Sequence, residues 1–297
     1  MAKAPLNSYV QETLDRIVQK FIESLEGDKI PWHRTWKGSS LIPHNFTTGR
    51  SYSGLNQLVL WMTEEARGFN DTRWGGKKQI IKAGYRIEQD QWKKGTAIFA
   101  PILRPYFYTD DDGSRRKGMA LKGWRVVQVW NAAQCEGVPA PVELKKIDPS
   151  VGFERAAALV EAAGMDITHK GNRAFYSPAG DSITLPPAGA FDSAAAYWSV
   201  NMHEHIHATG HKSRLDREGV GGFSSRTVYA FEELVAEMGS AFLCNVLGID
   251  APELQPNHEA YIQSWIKVLN EDPTQLMKAA GQAQKAMDYI LKLEKAA

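Results

Sequence analysis

Residues 192–210 read DSAAAYWSVNMHEHIHATG. Ala194 to Ala196 are strong helix formers, Asp192 suits an N-cap and Gly210 a stop, so the stretch predicts one helix. Its last turns hold His203-Glu204-His205-Ile206-His207, an H-E-x-x-H pattern. Residues four apart share a helix face, so His203 and His207 present two imidazoles to one metal ion. Glu204, one residue on from the first histidine, reaches a metal-bound water rather than the metal. Two histidine ligands with a glutamate general base is the pattern of a hydrolytic zinc site, with Glu204 as the candidate catalytic residue.

Such a site takes three protein ligands and keeps one position open. The next predicted helix, Thr227 to Leu247, contains FEELVAEMGSAFLC and supplies carboxylates at Glu233 and Glu237. His211 continues the row of His203 and His207, but Gly210 breaks the helix between them. The longer metzincin motif needs a histidine at position 213, where this chain has Ser213. Glu233 therefore reads as the third ligand, in the manner of a glutamate zincin. Glu237, one turn on, orients a ligand histidine, and Glu237 and His211 stand as alternative ligands. Zn2+ is the expected ion, and another divalent metal such as Mn2+ suits the same set. Tyr229, Arg214 and Arg217 are the candidate oxyanion partners. The chemistry is metal-assisted hydrolysis, in which Glu204 takes a proton from the attacking water and returns it to the leaving group.

The chain of 297 residues is long enough for two domains, and its 43% hydrophobic and 23% charged residues are those of a globular protein. No apolar run approaches the roughly 20 residues that span a membrane, so no membrane partner is expected. Two distant cysteines and no signal-peptide core predict a cytoplasmic location. Charge divides unevenly. Residues 1–140 carry 21 Lys+Arg against 14 Asp+Glu, and residues 141–297 carry 14 against 20. Seven of the nine tryptophans lie in the basic part. The metal motif lies in the acidic part, and the split predicts two tasks.

The fold class expected is α+β. An N-terminal domain at 1–137 combines helices with an antiparallel sheet, 138–150 is a Pro-rich linker, and a mostly helical domain with a small sheet fills 151–297. The periodicities predict helices at 8–26, capped by Ser8, at 55–67 and at 77–83, and strands at 96–109 and 124–130. Arg115-Arg116-Lys117 reads as a basic loop after the Asp110–Gly113 turn. Residues 167–168 and 174–177 read as a hairpin, with 182–185 as a third strand. Residues 29–56 combine loop-forming residues with Trp32, Arg34, Trp36, Asn45, Arg50, Tyr52 and Asn56. Flat rings stack on unpaired bases, and basic side chains track phosphates. These seven, with Trp74, Arg115, Arg116 and Lys117, are the candidate single-stranded-DNA contacts.

Several segments together resemble the ArdC-type antirestriction proteins of conjugative plasmids, whose N-terminal region is shared with plasmid primases of the TraC type. They are PWHRTW at 31–36, the N-x-x-T-G-R-x-Y-x-G-x-N run from Asn45 to Asn56, VWNAAQCEG at 129–137, HEHIHATGHKSRLDR at 203–217 and FEELVAEMGSAFL at 231–243. The resemblance implies an N-terminal single-stranded-DNA-binding domain and a C-terminal zincin-like metallopeptidase domain. It also implies protection of incoming plasmid DNA from restriction, with a host restriction component as the candidate protein substrate. The readings set against this are a DNA-shielding protein with a structural metal and a metal-dependent nuclease.

Overall fold

The computed structural model describes residues 6–27, 29–32, 42–141, 149–220, 225–250 and 258–294. Helix α1 spans Ser8–Glu26, with Val10, Leu14, Val18, Phe21, Ile22 and Leu25 buried along one face. Its cap is Asn7, not Ser8: the Asn7 side chain accepts the Val10 N–H at 3.0 Å. Then follow β1 (His44–Asn45), α2 (Leu55–Arg67), β2 (Arg73–Gly76), α3 (Lys77–Lys82) and β3 (Arg86–Ile87). The long strands β4 (Thr96–Thr109) and β5 (Arg115–Asn131) and the short β6 (Cys135–Glu136) complete this half.

The larger sheet has the order β1-β2-β5-β4. It is antiparallel except where β1 runs parallel to β2. Arg115 to Lys117 lie in β5 rather than in a loop, because the tight turn at Asp110–Gly113 lets strand pairing resume at Thr109↔Arg115.

The second half opens with α4 (Pro149–Ala163) and a small sheet of β7 (Asp166–His169), β8 (Phe175–Ser177) and β9 (Ser182–Leu185). Its order is β7-β9-β8, so β7 and β8 do not form the expected hairpin. The apolar strand β9, with Ile183 and Leu185 fully buried, takes the centre, and β7 pairs with it in parallel. Helices α5 (Ala194–Thr209), α6 (Arg226–Leu247), α7 (His258–Glu271) and α8 (Thr274–Leu293) follow. Ser193, not Asp192, caps α5, its hydroxyl accepting the Ala196 N–H at 3.1 Å.

Helices α5 and α6 run antiparallel. Ser240 donates to the Ser199 carbonyl at 3.0 Å near one end, and His207 meets Glu232 near the other. Gly239 permits this close approach, since a Cβ there would come within 2.9 Å of Ile206. One hydrophobic core runs through both halves of the chain, from α1 and α2 to α8. Trp61 meets Phe242 edge-on at 5.6 Å, and Trp32 meets Trp265 at 5.7 Å. The Gly54 N–H donates to the Gln284 side chain at 3.1 Å. Among the described residues no helix is long and apolar enough to cross a membrane.

Candidate metal centre

On α5, His203 and His207 stand one turn apart with their Nε2 atoms 3.1 Å from each other. Glu233 on α6 completes the group, 3.8 Å from His203 Nε2 and 3.5 Å from His207 Nε2. Ligands bound to one tetrahedral ion at 2.0–2.1 Å sit roughly 3.3 Å apart, so these separations suit a single small cation. The far side of each ring tests the fit independently. His203 Nδ1 lies 3.3 Å from Glu237, and His207 Nδ1 lies 3.1 Å from Glu232. A carboxylate at Nδ1 favours the tautomer with its proton on that side, and both Nε2 atoms are turned toward the same small space. A cation between the two Nε2 atoms would satisfy both. Among the described residues this is the group of three or more His, Cys, Asp or Glu that could hold an ion.

The remaining residues of the motif divide cleanly. Glu204 is buried, and burial raises its carboxyl above the usual carboxylate range. The neighbouring His203 and His207 and a hydrogen bond from the Tyr176 backbone offset part of that rise. A carboxyl whose proton affinity is raised in this way takes up a proton more readily than an exposed one. His205 faces away from the group: its Nδ1 lies 2.8 Å from the Asn201 carbonyl, and burial pulls its pKa down to about 4, so it stays neutral. His211 lies past the end of α5, beside Ser213 and Asp181, and is not gathered into the group.

Of the three candidate oxyanion partners, only Tyr229 stands beside the ligands. Its phenol bonds Glu233 and lies 2.9 Å from the Tyr261 hydroxyl. Burial first, then those two neighbours, push its pKa far up, so it remains an O–H donor. Arg214 is committed elsewhere, to Asp181, Tyr176 and the Ala208 carbonyl. Arg217 is buried against Glu232, with bonds of 2.6 and 2.9 Å, and also holds the Ile206 carbonyl and Thr209.

Glu232 went unseen in the sequence reading. A signal was present: adjacent glutamates in the middle of an apolar helix demand buried counter-charges, and Arg217 is one. Glu232→Gln is expected to weaken divalent-metal affinity about 10–100-fold while leaving one ion per chain at saturation. Competition with a chelating dye measures it, and unchanged affinity would show that Glu232 has no hold on His207.

The candidate DNA contacts fare differently. Trp74 is fully buried in β2 and donates its indole N–H to Glu64 at 2.7 Å, and Trp32 is packed between Phe21 and Trp265. Both are core residues, which corrects their reading as base-stacking rings. Asn45 accepts the backbone N–H of Thr47 and Thr48 and donates to Gln79 and Tyr52. Asn56 makes a two-point bond to the Phe99 backbone, at 2.7 and 2.8 Å. These two asparagines build the loop and anchor α2 to β4. Tyr52 is half-buried beside Asn45. Arg50, Arg115, Arg116 and Lys117 are exposed, and Arg34 and Trp36 lie outside the described residues.

Residues 154–282 match the zincin-like metallopeptidase family, and residues 11–129 match the N-terminal domain of anti-restriction factor ArdC. The crystal structure of the antirestriction ArdC protein from plasmid R388, in its metal-free form, superposes with a TM-score of 0.76. It is 32% identical, and the match covers 95% of this chain and 98% of that one. This chain belongs to the ArdC antirestriction family. The Mn(II)-bound structure of R388 ArdC matches with a TM-score of 0.74 at 32% identity, over 95% of this chain and 97% of that one. The zincin-like half and that Mn(II) complex together point to a divalent ion for the ArdC fold.

The family's reach extends to the Escherichia coli DNA primase TraC, 36% identical over 94% of this chain, of which the match covers only 20%. A second TraC primase from the same organism is 37% identical, with 27% of its length covered. This chain thus spans roughly a fifth to a quarter of those primases. An uncharacterised Sinorhizobium fredii protein, y4eC, is 31% identical over 93% of this chain and 90% of its own length.

Proposed function

We propose that this ArdC-family protein engages single-stranded plasmid DNA through its N-terminal half and uses a divalent-metal site to hydrolyse a protein of the host restriction system. The observation that carries the hydrolytic reading is the completeness of the site. His203, His207 and Glu233 are the three ligands, each histidine is held by its own carboxylate, and Glu204 is left over as a base. A purely structural zinc site takes four protein ligands and has no use for such a base. Bound there, the ion supplies Lewis acidity and a water of lowered pKa. Glu204 would take the water's proton and return it to the leaving nitrogen, and the Tyr229 hydroxyl would be the donor to the oxyanion. Beside Glu204 lies β8, which among the described residues is an edge strand of the small sheet, and such an edge can align an extended peptide by main-chain hydrogen bonds. Zinc and manganese both suit two imidazoles and one carboxylate.

The DNA reading rests on the excess of basic over acidic residues in the N-terminal half and on the DNA-associated name of the TraC primases. The full chain is expected to bind an unstructured oligothymidylate more tightly than a duplex of equal length, with affinity falling steeply as salt rises. Fluorescence anisotropy over a salt series measures both. Equal affinity for the two forms would remove base stacking from the account. Elemental analysis of the wild type and of His203→Ala tests the other half, the variant being expected to lose its ion.

A further inference from the structure

Beyond the register shift at Ile102/Leu103, strands β4 and β5 pair only with each other among the described residues, from Leu103↔Leu121 to Thr109↔Arg115. They form a two-stranded arm that leaves the body of the protein. Of the 12 exposed large hydrophobic side chains among the described residues, seven lie on it or at its base: Ile102, Leu103, Tyr106, Phe107, Tyr108, Met119 and Leu121. Exposed apolar surface concentrated in this way marks a binding site.

Paired residues share a face of the arm, and successive residues alternate between faces. One face carries Leu103, Phe107, Met119 and Leu121 together with Lys117 and Arg115. The other carries Arg104, Tyr106, Tyr108 and Arg116, set against the small residues Gly118 and Ala120. Tyr106 and Tyr108 are 48% and 44% exposed, with ring centroids 5.7 Å apart and planes 33° apart. The Tyr106 ring lies across its partner Gly118, where an added Cβ would come within 2.6 Å of the ring. The glycine thus lets the ring lie down on the strand, one side against the backbone and the other toward solvent. Arg116 is held by Asp110 at 3.1 Å and Asp112 at 3.3 Å, which neutralises part of the acidic tip. Arg104 has no ion pair among the described residues and flanks the tyrosines on the side toward the body.

We propose that the Tyr106–Tyr108 face of this arm is the surface on which single-stranded DNA stacks its bases, with Arg104 meeting the backbone phosphate. The proposal rests on the single-stranded-DNA reading given above and places it on residues outside the Trp-rich loop. Flat, partly exposed rings beside a free guanidinium suit unpaired bases, whose faces a duplex keeps covered. The opposite face has a single ring, Phe107, with the Arg115 guanidinium 4.5 Å over it, and no pair of rings.

The test uses the full chain and a fluorescein-labelled oligothymidylate. Tyr106→Ala/Tyr108→Ala is expected to weaken binding about 100-fold, at about tenfold per stacked base, with the melting temperature unchanged because both rings are exposed. Gly118→Val, which lifts the Tyr106 ring off the strand, is expected to cost about tenfold by itself. Leu103→Ser/Leu121→Ser on the opposite face is expected to bind as the wild type does. Wild-type affinity in the tyrosine double variant would overturn the placement while leaving the DNA reading intact. An equal loss in the leucine double variant would overturn the choice of face. A wild-type protein with no preference for the oligonucleotide over duplex would defeat the DNA reading itself.

Discussion

Glu204→Gln is expected to keep the divalent ion at full stoichiometry and to lose hydrolytic turnover by about 10²–10⁴-fold, the usual worth of a positioned general base. The substitution is close to isosteric. The glutamine carbonyl can still accept the Tyr176 backbone hydrogen bond that Glu204 accepts, so α5 and β8 stay in register. What is lost is the group whose burial raises its proton affinity. Elemental analysis reads the ion, and plasmid establishment in a restricting recipient reads the consequence. A variant that has lost its metal would make Glu204 a ligand rather than a base. A variant that keeps its metal and protects the plasmid as well as the wild type would show that protection runs through DNA engagement and not through hydrolysis.

Arg217→Met carries the largest expected cost in stability. Arg217 and Glu232 have side chains only 5% and 3% exposed, joined by a 2.6 Å contact. Removing one partner of a buried pair leaves an uncompensated charge, at about 3–5 kcal/mol. At ~2–4 °C per kcal/mol for a chain of this order of size, the melting midpoint is expected to fall by roughly 10 °C. The double variant Arg217→Met/Glu232→Gln should recover most of that loss, because the stranded carboxylate is gone. It should not recover metal affinity, because His207 then lacks the carboxylate that sits at its Nδ1. Thermal melts beside chelator competition separate the two roles. A single variant that melts with the wild type would show that the pair is not holding this corner of the fold.

The H-E-x-x-H helix was readable because helical periodicity fixes which side chains share a face. The same geometry put Glu233 and Glu237 on the facing helix, and the structure brings Glu233 to both Nε2 atoms and Glu237 to His203 Nδ1. Glu232 escaped because a residue's angle on its own helix does not say which neighbour it meets. Its partner Arg217 arrives from an irregular segment after α5. Trp32 and Trp74 escaped for a related reason: an indole packs in a core as readily as it stacks on a base, and only tertiary contacts decide. The small sheet was misread locally. A hairpin is the shortest way to join β7 and β8, yet the fully buried Ile183 and Leu185 of β9 require the central place. The arm's exposed tyrosines were not legible in the sequence, since alternation along a strand does not reveal that both sides are exposed among the described residues.

The core that passes from α1 and α2 into α8 has a thermodynamic consequence. Trp61 and Trp32 bury themselves against Phe242 and Trp265, so neither half can melt without stripping the other of its packing. Whatever binds the folded chain at one place therefore lends its free energy to the whole. A cation held between α5 and α6 raises the cost of unfolding the strands that carry the arm. A ligand gripped by the arm does the same for the helices around the cation.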